Sequence, residues 1–248
     1  MWTVARYWPV SPFSLKSASA TASGGKTLLV PTPFALKMAL LDAALRTLGL
    51  AEGERLFPLL RDLRIAFEPP ADLVVLKSFG KIQRLLKDRS NEQKAAEAHE
   101  QKRWPMQPTI AYREYVYYRD PFQLALAADD GSALPPLLSP LLWSVNYMGK
   151  RGGFVQIAEA PRQMETLSGD HFVDLTPEAL SAFSLEGTLQ MLDDCHPSLT
   201  FQRANIYNAE RITLGKERIV RHVVLPYRLF RSSRGYSWYR SLREEPEQ

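Results

Sequence analysis

Alternating apolar and polar positions predict strands over residues 2–10, 61–67, 109–127 and 154–157, because side chains of a strand point alternately to its two faces. The pattern is clearest over residues 109–118, where aromatic and basic residues share one face, Arg113 and Tyr115 among them. Such a face can stack bases and bind phosphate, but tyrosines are also common in strands that have no function. Asp120 and Pro121 interrupt the run, so residues 122–127 are expected to continue it after a bulge or turn.

A helical period appears over residues 32–48, where apolar residues recur every three or four positions. Thr32 can cap this helix, Pro33 suits its first position, and Gly49 ends it. A second helix is predicted over residues 134–148. The elements then follow in the order βαββαβ, which predicts an α+β, ferredoxin-like (RRM-related) domain over residues 1–160.

Residues 72–106 interrupt this order between its second and third strands. Residues 72–87 favour a hairpin or a strand that runs into a helix, and residues 91–104 form helix readily but have scarcely any apolar face. We therefore expect a projecting insertion, which is either a solvated arm or a clamp on a partner. Arg103 and Trp104 end it, where a cation beside an aromatic ring suits backbone contact and base stacking.

A glycine-rich turn joins the second helix to the last strand of this domain. Its residues are Gly149, Lys150, Arg151, Gly152, Gly153 and Phe154. Glycine permits positive φ and close approach of another backbone, and the two cations suit a phosphate backbone. An ordinary solvated turn remains the alternative. Lys26, beside two glycines in a polar loop, is open to the same two interpretations.

Residues 161–248 are predicted to form a smaller region with a helix and a β-hairpin. The helix is expected over residues 177–192 and the hairpin over residues 198–230, with its turn at Gly215. In the tail, arginines that include Arg231 and Arg234 alternate with aromatic residues. That mixture suits a single nucleic-acid strand, and it also suits a protein interface.

Composition narrows the class of protein. Of the 248 residues, 45% are hydrophobic and 23% charged, which is typical of a foldable globular chain. A net charge of +4 permits nucleic acid as a partner without requiring it. Cys195 is the single cysteine, which fits a reducing compartment, and no run is long and apolar enough for a bilayer. We therefore expect a cytoplasmic protein without a membrane partner.

Several chemistries lack their residues in this sequence. It has no P-loop, no GxGxxG after a strand, no HExxH and no paired CxxC, so no cofactor and no metal are predicted. The run from Asp193 to His196 offers possible ligands, but adjacent residues rarely converge on one ion. We expect it to end the helix over residues 177–192.

Four short motifs together resemble the Cas-five family of the RAMP superfamily, whose members are subunits of type I CRISPR (Cascade-like) surveillance complexes. The motifs are the helix entry at residues 31–33, the strand at residues 113–115 broken by Asp120 and Pro121, the glycine turn, and residues 223–226. Their order and spacing cover the chain from residue 2 to about residue 239.

The resemblance implies an antiviral subunit that holds the 5′ handle of the CRISPR RNA at the foot of a filament of backbone RAMP subunits. It also implies contact with the large PAM-recognising subunit and, indirectly, with target DNA. Residues 72–106 would be the thumb, and residues 150–154 would lie against the handle. The RNA-binding set is then Lys26, Lys77, Lys81, Arg84, Arg103, Trp104, Arg113, Tyr115, Lys150, Arg151, Gly152, Gly153, Phe154, Arg231 and Arg234.

Some members of the family cleave precursor RNA with a tyrosine and a neighbouring lysine and histidine. Such cleavage needs one group to accept the 2′-hydroxyl proton and another to protonate the leaving oxygen. Here the four histidines are scattered and no Lys-His pair exists, so we predict a binding subunit with no catalytic residue. A metal-independent endoribonuclease of the same superfamily and a protein-only assembly scaffold are the alternatives.

Overall fold

The computed structural model describes residues 1–17, 26–86, 90–150, 152–167, 171–177 and 186–243. The helices are α1 (Pro33–Leu48), α2 (Leu50–Asp62), α3 (Glu92–Glu100), α4 (Leu138–Ser144) and α5 (Phe201–Ala204). The strands are β1 (Trp2–Pro9), β2 (Arg64–Glu68), β3 (Asp72–Leu85), β4 (Met106–Tyr118), β5 (Phe122–Ala127), β6 (Val155–Ile157), β7 (Arg162–Met164), β8 (Val173–Asp174), β9 (Thr188–Cys195), β10 (Arg218–Leu225), β11 (Tyr227–Ser232) and β12 (Tyr236–Ser241). The predicted α+β class is confirmed, and these strands pair antiparallel.

The first sheet, here called the base sheet, has the strand order β6-β1-β5-β2-β8, with β7 also paired to β1. Its central strand β5 buries almost every residue, and Leu126 lies fully buried between Thr3 of β1 and Ile65 of β2. Apolar residues of α1 and α4 share the same core. Burial of this apolar area is the main contribution to the stability of the domain.

Helix α1 forms where the sequence predicts it, for the predicted reasons. The Thr32 hydroxyl accepts a hydrogen bond from the Ala35 N–H at 3.1 Å, and Pro33 occupies the first helical position. Gly49, with φ of +87°, ends the helix. Helix α2, which starts directly afterwards, has no predicted counterpart, because its interior Gly53 and Pro58 obscure the helical pattern. The strand predicted from residue 61 therefore begins only at Arg64.

The second sheet, here called the ribbon sheet, has the order β11-β12-β3-β4. Strand β3 is one long strand that pairs with β4 from Leu73↔Tyr118 to Leu85↔Met106. Helix α3 follows the end of β3 and precedes the start of β4, so it lies at the far end of the ribbon. The Asn91 side chain caps this helix by accepting a hydrogen bond from the Lys94 N–H at 3.0 Å. The hairpin alternative for residues 72–87 is wrong, because residues 72–85 form a single strand and helix α3 starts only at Glu92; residues 87–89 lie outside the described residues.

Two predictions for the second half of the chain are wrong. The helix expected over residues 177–192 is strand β9 from Thr188 onward, and residues 178–185 lie outside the described residues. The hairpin expected over residues 198–230 does not form, since β10 pairs with β9 while residues 198–214 hold α5 and turns. Strand β12 pairs with β3, so the tail completes the ribbon sheet. These pairings depend on distant segments that local periodicity does not reveal.

Strand β9 is fixed on α1 by buried charge. The Lys37 ammonium lies 2.7 Å from the Asp194 carboxylate, and both side chains are almost fully buried. Arg221 of β10 bonds the other Asp194 oxygen at 3.0 Å, and Arg218 bonds Asp193. Lys37 can be buried because the paired carboxylate offsets its desolvation.

Helix α4 is shorter than the helix predicted over residues 134–148. Pro135 and Pro136 precede its start, and residues 145–148 leave helical geometry to pair with the strand that follows the glycine turn. In the described part of the chain, no helix combines the length and apolar character needed to span a membrane.

Candidate nucleic-acid interface

The predicted glycine turn is a tight backbone reversal. The Met148 N–H donates to the Gly153 carbonyl and the Gly153 N–H to the Lys150 carbonyl, each at 3.0 Å. Gly149 and Gly152 have φ of +77° and +119°, in the region that side chains disfavour. Glycine is therefore required at both positions by backbone conformation alone.

Packing fixes this turn against residues 10–16, here called the strap. A Cβ on Gly149 would lie 2.2 Å from a methyl group of Leu15, and one on Gly153 would lie 2.9 Å from the Met148 carbonyl oxygen. The Ser11 hydroxyl donates to the Gly152 carbonyl and accepts from the Phe154 N–H at 2.8 Å. The turn is thus held by contacts that leave no space for larger residues on its strap side.

The opposite side of the turn is open. Lys150 and Gly152 are exposed, the Phe154 side chain is 49% exposed, and no atom lies within 4 Å of a Cβ built on Gly152. A phosphate backbone can approach such a bare stretch closely. Arg151, also predicted here, lies outside the described residues.

The strap connects the turn to the ribbon sheet. Phe13 and Val116 of β4 exchange both backbone hydrogen bonds, at 3.0 and 2.7 Å. The Leu28 N–H donates to the Leu15 carbonyl, and the neighbouring Thr27 N–H donates to the buried carboxylate of Glu114 at 2.9 Å. Lys26 is exposed beside that contact. One hydrogen-bonded framework therefore carries Lys150 on the turn and Lys26 on the loop.

Beyond Glu114, the same face of the ribbon leaves the core. We call the alternate positions Lys77, Phe79 and Lys81 on β3, with their partners Glu114, Tyr112 and Ile110 on β4, the inner face. Phe79 and Tyr112 lie opposite each other with ring centroids 4.8 Å apart, and Phe79 is 67% exposed. The predicted residues Lys77 and Lys81 flank this aromatic pair, and the Lys77 ammonium donates to the Ser233 carbonyl at 3.2 Å.

Tyr112 keeps its proton at neutral pH. Its hydroxyl donates to Glu114 at 2.7 Å, and burial followed by that hydrogen bond raises its pKa to about 12. A tyrosine that is protonated at neutral pH has no phenolate to accept a proton. Tyr112 therefore holds a carboxylate in place and does not act as a general base.

The remaining predicted strand residues lie on the other side of the sheet. Arg113 faces Ser78, Tyr115 faces Leu76, and Arg231 faces Trp238, with Val74 opposite Trp238 on the next strand. We call this side the outer face. Arg84, opposite Gln107, lies on the same side because it is separated from Ser78 by an even number of strand positions. Arg234 lies in the turn between β11 and β12. The structure therefore divides the predicted set between two surfaces.

Arg103 and Trp104 lie beyond α3 and bond within the insertion. Arg103 donates to the Gln101 side chain and lies 4.0 Å from the Glu97 carboxylate. The Trp104 ring stacks on His99 at 4.6 Å between centroids, which covers one ring face, and it is 37% exposed. Only the open side of that ring is available to a partner.

The elements around the turn contain no histidine: none occurs in the strap, α4, β6 or β4. His196 bonds Ser198 at 2.8 Å, His171 is 59% exposed, and His222 lies exposed on β10. Within the described residues, no cluster of histidine, cysteine and carboxylate side chains suits a metal ion. The groups around the turn can bind an anion but offer no acid-base pair.

A cleft of about 570 Å³ lies apart from the turn, between α2, β9 and β10, where its lining includes Lys37, Asp194 and Arg221. Both cations pair with the Asp194 carboxylate, Lys37 at 2.7 Å and Arg221 at 3.0 Å. Burial is the main cause that raises the pKa of the Cys195 thiol to about 12, so this thiol is not a reactive nucleophile. Lys37, Asp194 and Cys195 therefore serve as packing and pairing groups of this cleft.

The residues that position the site carry no sequence signal of their own. Ser11 bridges the turn, and Glu114 joins Thr27 to Tyr112, but neither belongs to a recognisable motif. Trp238 and Tyr117 lie on strands that are far apart in the chain. Their approach depends on the pairing of β12 with β3, for which the sequence carries no local signal.

Comparison with known proteins gives one curated relative. A protein from Archaeoglobus fulgidus named CRISPR-associated protein Cas5 is 31% identical over 119 residues, which are 48% of this chain and 47% of the relative. The chain thus spans about half the length of the curated relative it matches. No family profile matches the chain.

Among solved structures, the chain aligns with the crystal structure of a CRISPR protein, also from Archaeoglobus fulgidus. The alignment has a TM-score of 0.48 and 12% identity, and it covers 97% of this chain and 91% of the other.

Proposed function

Since its residues and its curated relative support a member of the Cas5 family, we propose that this chain binds the 5′ handle of the CRISPR RNA in a type I surveillance complex. The observation that carries the proposal is the glycine turn, whose open side presents bare backbone, Lys150 and Phe154. Exposed backbone N–H groups and the Lys150 ammonium can bind phosphate, and the half-exposed Phe154 ring can stack a base. The handle then lies along the turn and Lys26.

The inner face of the ribbon extends this surface. Its exposed Phe79, paired with Tyr112, offers a further stacking position between two lysines. The insertion over residues 72–106 acts as the thumb of the subunit, with Arg103 and Trp104 near its end. We assign the RNA path to this side of the molecule because the strap joins it directly to the turn.

A ferredoxin-like base is part of the same proposal. The strand order β6-β1-β5-β2, with antiparallel neighbours and helices α1 and α4 in the connections, supports it. The subunit would cap the filament of backbone RAMP subunits and contact the large PAM-recognising subunit, which brings it indirectly to target DNA. Its proposed compartment is the cytoplasm, where such ribonucleoproteins act.

Handle binding is tested with Lys150→Ala. We expect weaker binding of handle RNA, with the salt slope of log K reduced by about 0.7, the value for one phosphate contact of a single strand. Arg211→Ala is the matched control, since Arg211 is equally exposed in the loop before β10. An unchanged affinity and slope in Lys150→Ala would contradict the role of the turn, and salt-insensitive association of the unaltered protein would favour the scaffold alternative.

The proposed subunit does not cleave RNA. The turn has no neighbouring histidine in its elements, and Tyr112 retains its proton at neutral pH because its pKa is raised to about 12. Incubation of the protein with cognate precursor RNA in EDTA should leave the RNA intact. Specific cleavage that is lost in Tyr112→Phe would instead establish the endoribonuclease alternative.

A further inference from the structure

Aromatic and basic side chains form rows across the outer face of the ribbon sheet. Directly opposed positions place Tyr117, Val74, Trp238 and Arg231 in one row across β4, β3, β12 and β11. The next row holds Tyr115, Leu76 and Tyr236, and Arg113 follows beside Ser78. Neighbouring strands lie about 4.8 Å apart, so each row is a continuous surface of side chains.

The positive charge of this face is largely uncompensated. Arg113, Arg228 and Arg231 are exposed and form no ion pair among the described residues. Arg228 also lies directly opposite Arg240, and like charges in that position destabilise a strand pair. Asp72 is the only carboxylate at the outer-face positions of these strands, and it bonds Trp238 at 2.8 Å and Arg240 at 3.5 Å. An anionic partner would relieve this repulsion.

The aromatic side chains are already ordered for contact. The Trp238 ring is held by its hydrogen bond to Asp72 and packs edge-on against Phe230 at 4.9 Å. The Arg240 guanidinium lies over Phe230 at 4.0 Å and near Trp238 at 5.1 Å. Phe230 and Tyr117 remain 48% and 47% exposed. Rigid rings and a stacked guanidinium lose little conformational entropy when a planar base packs on them.

We infer that the outer face is a second binding surface for single-stranded nucleic acid, distinct from the turn that is proposed to hold the handle. Arg231 on β11 and Arg113 on β4 flank the aromatic side chains from the two edge strands, and unpaired cations on both sides of stacking rings are the arrangement of a stacking platform in a positively charged groove. The inference does not depend on handle binding, because its residues lie on the strands of the ribbon sheet and not on the turn, and on the side opposite the inner face.

The test uses the full chain with an oligouridylate and an oligothymidylate, neither of which contains a handle. Arg113→Gln combined with Arg231→Gln should weaken binding and reduce the salt slope by about 1.4, the sum for two phosphate contacts. Tyr117→Ala should weaken binding at least about fivefold, the lower end of what stacking of one base contributes. Arg211→Gln combined with Lys216→Gln is the charge-matched control on exposed loop residues and should change neither value.

The two oligonucleotides identify the source of the strand. Preferred binding of oligouridylate would assign the face to RNA, and preferred binding of oligothymidylate would assign it to DNA. Equal binding would show that the face accepts both nucleic acids. Each of these results supports the inference.

Two results would overturn the inference: no binding of either oligonucleotide at low salt, or equal losses in the outer-face and control variants. Loss of a protein partner in the outer-face variants, with oligonucleotide binding intact, would likewise assign the face to protein. Thermal unfolding of each variant, with an unchanged Tm, separates binding effects from misfolding.

Discussion

The base sheet and the ribbon sheet use β-structure in opposite ways. The central base strand β5 buries nearly all its residues, whereas the distal half of β3 exposes residues on both faces. Strand β4 shows the change within one element, because Val116 is fully buried and Ile110, on the same face, is 68% exposed. Stability is therefore concentrated in the base, and the ribbon can carry binding groups at little cost to the fold.

The sharpest test of this difference removes a side chain from the base. Leu126→Ala should lower the free energy of unfolding by about 2–5 kcal/mol, because Leu126 is fully buried between two strands and leaves a cavity. Urea denaturation measures the change. A loss below about 1 kcal/mol would show that the base is not the source of stability.

An intermediate effect is expected where the base meets the ribbon. Glu114→Ala should cost about 1–3 kcal/mol, since it leaves the buried Thr27 N–H without its acceptor and removes the partner of Tyr112. Glu114→Gln retains an acceptor oxygen and should recover part of that loss in the same denaturation experiment. Equal losses in both variants would indicate that charge, not the hydrogen bond, stabilises this junction.

The smallest effect is expected on the exposed ribbon. Ile110→Ala, a truncation comparable to that of Leu126, should change the free energy of unfolding by less than about 0.5 kcal/mol because Ile110 is mostly solvent-exposed. A loss as large as that of Leu126→Ala would remove the contrast between the two sheets.

The elements that could be predicted from the sequence are those whose stabilising contacts join residues close together in the chain. Helix α1 was predicted because its cap, its first proline and its final glycine lie within the element itself. The turn was predicted for similar reasons, since Gly149 and Gly152 are required by local backbone conformation. The family resemblance, which depended on such local motifs, is supported by the curated relative.

Errors occurred where partners are distant in the chain. Strand β9 was taken for a helix because its buried Asp193 and Asp194 hide the alternation, and their pairing with Arg218, Lys37 and Arg221 is visible only in three dimensions. The hairpin expected over residues 198–230 failed because β10 pairs with β9 instead. The division at residue 160 and the roles of the site residues stay predictions.

The sequence by itself determined the local elements: the capped helix α1, the alternation of β4, the polar helix-forming insertion and the glycine turn with its cation. These depend on backbone preferences and on contacts a few residues apart. Only the tertiary structure decided which residues share a surface. It placed Lys26 beside the strap and separated Arg113, Tyr115 and Arg231 from the turn onto the outer face. Pairing of β12 with β3 is the physical reason, because hydrogen bonds between segments far apart in the chain set which side chains meet.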